Sequence, residues 1–309
     1  MRDDVLDDDA PMRAWATATA TATVVRAVRH AHRARDARGG DARRALRDSR
    51  RRRNHHHIRC AASSNDDTRA TTRALTDAQR AQMHAYAELL MRENKGEHGM
   101  LTGATSVEEV LEAHVGDALA LTRAFDALLH DDDDDDGGSG VRRVMDVGSG
   151  AGFPGIPLAI ARPQWRFTLL DTLRKRTTFL EVVARELGLT NVDVVWARAE
   201  DLAREDAHRE QYDLVTARAV AELRTLAEFC VPFVKVGGYW AAPKNADVEN
   251  EIADAANAVS LLGAGAMRVE AVDSIGPDGR HRTVVISRKE NATNEKYPRK
   301  AGKAKKRPL

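Results

Sequence analysis

Seven residues constrain this chain more than any others: Asp146-Val147-Gly148-Ser149-Gly150-Ala151-Gly152. They close the short apolar run Val144–Val147 and precede an apolar helical segment from about Pro154 to Ala161. Glycines between a strand and a helix let the backbone turn tightly and lie close to a ligand. Around the loop, apolar runs of strand length alternate with helical patterns. Strands are expected at Phe167–Leu170, Val192–Trp196, Tyr212–Thr216 and Gly238–Ala242, and helices at Thr177–Gly188 and Ala221–Cys230. Met267–Val272 and Thr283–Ser287 flank Gly276-Pro277-Asp278-Gly279 and read as a hairpin. The expectation is a doubly wound, mostly parallel α/β sheet, Rossmann-like, with a C-terminal antiparallel hairpin.

The loop's spacing narrows its ligand. A dinucleotide fingerprint needs a third glycine three places after the second, where this chain has Phe153. GxGxG behind the strand-terminal Asp146 suits S-adenosylmethionine, whose zwitterionic end can meet loop amides and a carboxylate. Asp171 ends the second strand 23 residues after Gly148, where a carboxylate can accept both ribose hydroxyls. Ala199-Glu200 follows the third strand and can read an adenine edge. Each position alone also suits a helix cap; in this order they point to one adenosine site.

The flanks differ from this core. Residues 1–65 are rich in Ala, Thr and Arg, with Arg50–Arg53, His55–His57 and Ile58-Arg59-Cys60-Ala61-Ala62 at their end. That composition reads as an organellar transit peptide, chloroplast before mitochondrial, although Asp3, Asp4 and Asp7–Asp9 break the pattern unless translation starts at Met12. A nuclear signal or nucleic-acid arm is the alternative for the arginines. Residues 66–130 read as a helical cap. Boxes at Thr76/Gln79 and Ser106/Glu109 open its helices, and His114 lies at the edge of an apolar stripe. Asp131–Asp136 with Gly137-Gly138-Ser139-Gly140 make a linker over 131–140. Residues 141–290 form the α/β domain, and 291–309 a basic tail.

Composition excludes several classes. No run of about 18 apolar residues is present, so no membrane helix is expected. Cys60 and Cys230 support neither a disulfide framework nor a CxxC metal site, and no metal is expected. A net charge of +1 argues against a polyanionic partner only if the charges are mixed, and here they are segregated.

The glycine loop with Phe153-Pro154-Gly155-Ile156-Pro157 resembles the RsmG (GidB) family. So do Leu169-Leu170-Asp171 with Lys175-Arg176, Ala199-Glu200, Thr216-Ala217-Arg218-Ala219-Val220-Ala221 and Lys296-Tyr297-Pro298-Arg299-Lys300. The resemblance covers roughly residues 72–309. It departs from the family at Met100-Leu101-Thr102, where Asn-Leu-Thr is usual, and keeps H-x-x-D at His114 and Asp117. It implies a class I S-adenosylmethionine-dependent methyltransferase acting on N7 of a guanine in small-subunit (16S-type) ribosomal RNA, naked or in an assembly particle. Cofactor contacts are expected at Asp146, Gly148, Gly150, Gly152, Phe153, Asp171, Thr172, Leu173, Ala199, Glu200 and Arg218. No acid–base dyad is expected; Arg218 and Lys244 are candidates for the base pocket. RNA contacts are expected from Arg174, Lys175, Arg176, Lys296, Arg299, Lys300, Lys303, Lys305, Lys306 and Arg307. The protein is expected to act as a monomer in the chloroplast stroma, or alternatively the mitochondrial matrix. Competing readings are a methyltransferase for a small molecule or protein, and a non-catalytic ribosome-assembly factor that keeps the pocket.

Overall fold

The computed structural model describes residues 75–94, 101–130, 141–218, 220–245, 247–275 and 280–309. The leader, the Asp131–Asp136 linker and the hairpin turn Gly276–Gly279 lie outside the described residues.

Among the described residues seven strands form one sheet: β1 (Arg143–Val147), β2 (Arg166–Asp171), β3 (Val192–Trp196), β4 (Tyr212–Thr216), β5 (Val234–Asn245), β6 (Arg268–Ile275) and β7 (His281–Arg288). Their order is β3-β2-β1-β4-β5-β7-β6. The first five are parallel, and β7 runs antiparallel to both β5 and β6. The expected hairpin is therefore present, inserted so that its second strand pairs with β5. This is a Rossmann-like, mostly parallel sheet with the antiparallel hairpin at one edge.

The two-residue period of a strand sends neighbours to opposite faces. Val144, Phe167, Leu169, Leu214, Ala241 and Ile286 join one core, while Met145, Leu170, Val215, Trp240, Ala242 and Val285 join the other. Because both faces are covered, the central strands read as continuous apolar runs. The first face is covered by helices Gly155–Ala161 and Arg174–Glu186 and by the cap, through Met83, Tyr86, Leu90 and Phe125. The second face carries helices Leu223–Cys230 and Glu249–Leu261, together with Tyr297 and Ala304 of the C-terminal segment.

In the cap, Thr76 opens helix Asp77–Glu93 with a reciprocal capping box, as expected. The second box is only half made. Ser106 accepts the Glu109 amide at 3.2 Å, but the Glu109 carboxylate turns to the Thr105 amide and hydroxyl at 2.8 and 3.0 Å. The helix beyond widens into a π turn over Val110–Val115 before Gly116–Ala120 resumes the α form. Such widened turns often mark functional positions, and this one carries His114.

Other boundaries move for local reasons. Helix Arg174–Glu186 begins three residues before Thr177, and strand β5 extends well beyond Gly238–Ala242 because β7 pairs along it from Tyr239 to Asn245. Helix Glu249–Leu261 was not expected. Its buried face is Ala255, Ala258 and Val259, and alanines make a weak periodic signal.

Candidate functional site

The carboxyl ends of β1–β4 open on one cleft of about 550 Å³, the place where open α/β sheets take ligands. Its walls include Gly148, Gly150, Phe153, Asp171, Thr172, Ala199, Glu200 and Arg218, eight of the residues expected to contact the cofactor.

The other three expected residues stand behind or beside it. Asp146 is fully buried under the glycine loop and accepts the Gly155 amide on Oδ2 at 3.0 Å, while its Oδ1 has no hydrogen-bond partner. Burial pushes its carboxyl up to about 6, against the pull of the Gly155 amide. Gly152 packs inward, where a Cβ would meet Ile156 and the Tyr86 hydroxyl. Leu173 sits on the rim, half exposed.

Backbone geometry builds the loop. Gly148 adopts φ +75°, and a Cβ there would lie 2.7 Å from Val220; only glycine satisfies both conditions. Gly155 lets its helix start directly over the sheet, since a Cβ would come 2.3 Å from Leu169. That close helix–strand approach was not legible in the GxGxG spacing.

Most loop amides are satisfied within the protein. Gly148 and Ser149 donate to the Leu170 carbonyl at 2.7 and 3.0 Å, and Gly152 and Phe153 to that of Ser149. Gly150 donates to Asp171 Oδ2 at 2.9 Å. The sheet end, Asp171 and the turn itself thus use most of these amides. Arg218 is the better anion partner. Its guanidinium lies over the Phe153 ring at 5.0 Å and 3.8 Å from Asp117, and it makes no hydrogen bond among the described residues.

Asp171 is buried and bound by the amides of Gly150 and Leu173, with Arg176 at 3.5 Å. A carboxylate has about four lone-pair sites, so two remain for hydroxyls. Glu200 accepts the Gly302 amide on Oε1 at 3.0 Å. The C-terminal segment thus closes the Glu200 side of the cleft, and Lys305 lines it.

The expected RNA-contact residues divide. Arg174 stacks on Trp196 at 5.3 Å, and that indole is 56 % exposed with its N–H held by the Thr172 carbonyl at 3.0 Å. Lys175, Lys296, Lys300, Lys303, Lys305, Lys306 and Arg307 are exposed, and Arg176 is half-buried against Asp171. Arg299 is engaged elsewhere: its Nε and Nη2 grip the buried Glu228 carboxylate at 2.9 and 2.6 Å. Lys244, expected at the base pocket, donates to Glu251 at 2.6 Å and to the Ala221 carbonyl at 3.1 Å while lining a second cavity.

That second cavity, of about 440 Å³, shares His114 and Arg218 with the cleft. His114 contacts the Thr102 hydroxyl at 3.2 Å and tilts against Phe153 at 5.0 Å. Burial, then the Arg218 charge, lowers its imidazole below the usual value, so it is neutral at pH 7. Among the described residues no helix is long and apolar enough to cross a membrane, and no group of three or more His, Cys, Asp or Glu is placed to hold a metal.

Residues 79–280 match the family described as rRNA small subunit methyltransferase G. Similar proteins named "Ribosomal RNA small subunit methyltransferase G" occur in Brevibacillus brevis (43% identical over 238 residues, 76% of this chain and 93% of that one) and Alkaliphilus metalliredigens (40% over 235 residues, 76% and 92%). Another is found in Leuconostoc citreum (41% over 235 residues, 76% and 93%).

Proposed function

Because the chain belongs to the small-subunit ribosomal RNA methyltransferase G family, we propose that it moves a methyl group from S-adenosylmethionine to N7 of a guanine in 16S-type ribosomal RNA. The observation that carries this reading is the single cleft that gathers Gly148, Asp171, Glu200 and Arg218 at adjacent strand ends.

The residues present fit that cofactor. Asp171 keeps lone pairs for ribose hydroxyls, Glu200 and Ala199 lie where an adenine edge would be read, and Arg218 can hold a carboxylate. Asp146, a buried carboxylate with an orphaned oxygen under the glycine loop, would supply negative potential to a bound ammonium group. When bound, the cofactor supplies a methyl group activated by a sulfonium.

Guanine N7 carries an in-plane lone pair and no proton, so its methylation requires no general base. The neutral His114 and the cationic Arg218 accordingly serve as walls. Their work, with Phe153, is to position the base and exclude water; holding a near-attack geometry is worth up to about 7–11 kcal/mol. The target must be unstacked or already in a single-stranded loop to reach the cavity.

We read residues 1–65 as an organellar leader, chloroplast in preference to mitochondrial, and the mature enzyme as a stromal monomer working on RNA or a small-subunit assembly particle. N-terminal sequencing of the protein from cells should give a start near Ala61; an intact Met1 or Met12 start overturns this.

Mapping N7-methylguanine in organellar small-subunit RNA with and without the gene tests the activity. Loss of one mark on deletion is expected, and an unchanged map excludes the reading. Gly148→Asp should abolish binding of radiolabelled cofactor, since the new side chain meets both an unfavourable φ and Val220.

A further inference from the structure

The second cavity has a composition of its own. It lies between the cap, the end of β5 and the hairpin, and its faces are apolar through Ala118, Leu121, Pro154, Pro243 and Val272. Its volume of about 440 Å³ falls within the usual range for small-ligand sites, about 300–1,000 Å³. The cofactor-side elements (the glycine loop, Asp171, Glu200) line the first cleft and not this one, whereas His114 and Arg218 face both.

Asp117 forms part of its wall. One oxygen takes the Ser274 hydroxyl. The other lies 3.8 Å from Arg218 and 3.6 Å from Arg282, beyond direct hydrogen-bond distance in both cases. The Arg282 Nε is buried without a hydrogen-bond partner. One carboxylate therefore faces two guanidiniums across gaps that leave donors and lone pairs unspent. With Glu109 and Lys244 added, positive and negative side chains on the wall nearly balance. That suits an uncharged, planar, hydrogen-bonding ligand better than a free phosphate.

We infer that this cavity receives the acceptor guanine and that Asp117 selects it. The inference rests on the proposed methyl transfer. Guanine's Watson–Crick edge presents the N1–H and N2–H donors side by side, the complement of a carboxylate. Adenine presents an acceptor at N1 and nothing at C2, so Asp117 repels it. Arg282 or Arg218 can donate to O6. N7 lies across the ring system from that edge. N7 is also the neighbour of O6, so a base held by Asp117 with O6 at Arg218 would carry N7 on the side of the wall shared with the first cleft. Asp117 is a specificity-determining residue, and the cap that carries it is part of the substrate site.

The test uses the small-subunit RNA or particle that the wild-type enzyme accepts, reconstituted with guanine or with inosine at the mapped position. Inosine keeps N7 and lacks only the 2-amino donor. Wild-type kcat/KM should fall about 10-fold or more on inosine, the usual weight of one edge contact. Asp117→Asn should lose about 10- to 100-fold on guanine and show a smaller inosine penalty, while its Kd for S-adenosylmethionine stays within a few-fold of wild type. Equal wild-type rates on guanine and inosine overturn the inference even if the variant fails to fold, as does an Asp117→Asn enzyme that keeps full guanine activity. A wild-type protein that methylates no guanine N7 brings down the proposed function and this inference with it. Normal methylation without inosine discrimination sinks the inference alone.

Discussion

Tyr86 of the cap donates its hydroxyl to the Ala151 carbonyl at 2.6 Å, across 65 residues of sequence and from a fully buried position. Its ring also packs on Phe153 at 5.4 Å. The cap is thus fastened to the tip of the glycine loop and the wall of the cleft.

Tyr86→Phe keeps the ring and removes that bond, leaving a buried carbonyl unpaired. About 1–3 kcal/mol of stability should be lost, together with several-fold weaker cofactor binding. Denaturant unfolding and calorimetric titration measure the two effects. Unchanged values in both would show that the cap merely rests on the loop.

Asp146 gives a pH dependence opposite to the usual one for an acid. Its carboxyl is raised from 3.8 to about 6 in the folded protein by burial. Below the unfolded value both states hold the proton and nothing is lost. As pH rises toward 6 the unfolded chain releases its proton first, so stability declines, by about 3 kcal/mol at pH 7. Asp146→Asn should therefore be more stable than wild type at pH 7, with the gap closing by pH 4, and should bind cofactor about 10-fold more weakly or worse. Urea midpoints at several pH values test the first part.

Arg299 and Glu228 form a partly buried pair with Glu228 at 1 % side-chain exposure. Removing the guanidinium leaves that carboxylate with the backbone amide of residue 299, and Arg299→Ala should cost about 3 kcal/mol. Arg299→Ala should also loosen Gly302 from Glu200 and raise the cofactor Kd. A variant that unfolds like wild type in urea would contradict the pairing.

The exposed lysines of the same segment should behave otherwise. Lys300→Gln with Lys303→Gln should leave melting and cofactor affinity unchanged. The salt dependence of RNA binding should flatten by about 0.7 per lost phosphate contact on single-stranded RNA. Filter binding across a salt series reads this slope, and an unaltered slope removes these two lysines from the RNA surface.

How much of this was legible in the chain depends on how far apart the partners lie. The strand-terminal Asp146, the glycine turn, Asp171 and Glu200 are local signals: each is a residue type at the end of an apolar run, and the period of the runs specifies a parallel sheet that brings those ends together. The hairpin was readable from its turn and flanking β-branched residues, though not its insertion beside β5. Helix Glu249–Leu261 escaped because alanine defines a buried face poorly.

What the sequence determined by itself is therefore the sheet, the loop and the position of the cleft at the strand ends. Tertiary structure alone decided which loop amides are consumed internally, that Gly155 rather than a third fingerprint glycine brings helix against strand, and that Arg299 grips Glu228 instead of facing solvent. It alone also placed Asp117 of the cap opposite Arg282 of the hairpin, 165 residues later. The physical reason is plainest in the last two. A carboxylate's role is set by which charges and donors desolvate beside it, and those arrive from elements whose separation along the chain carries no periodic signal.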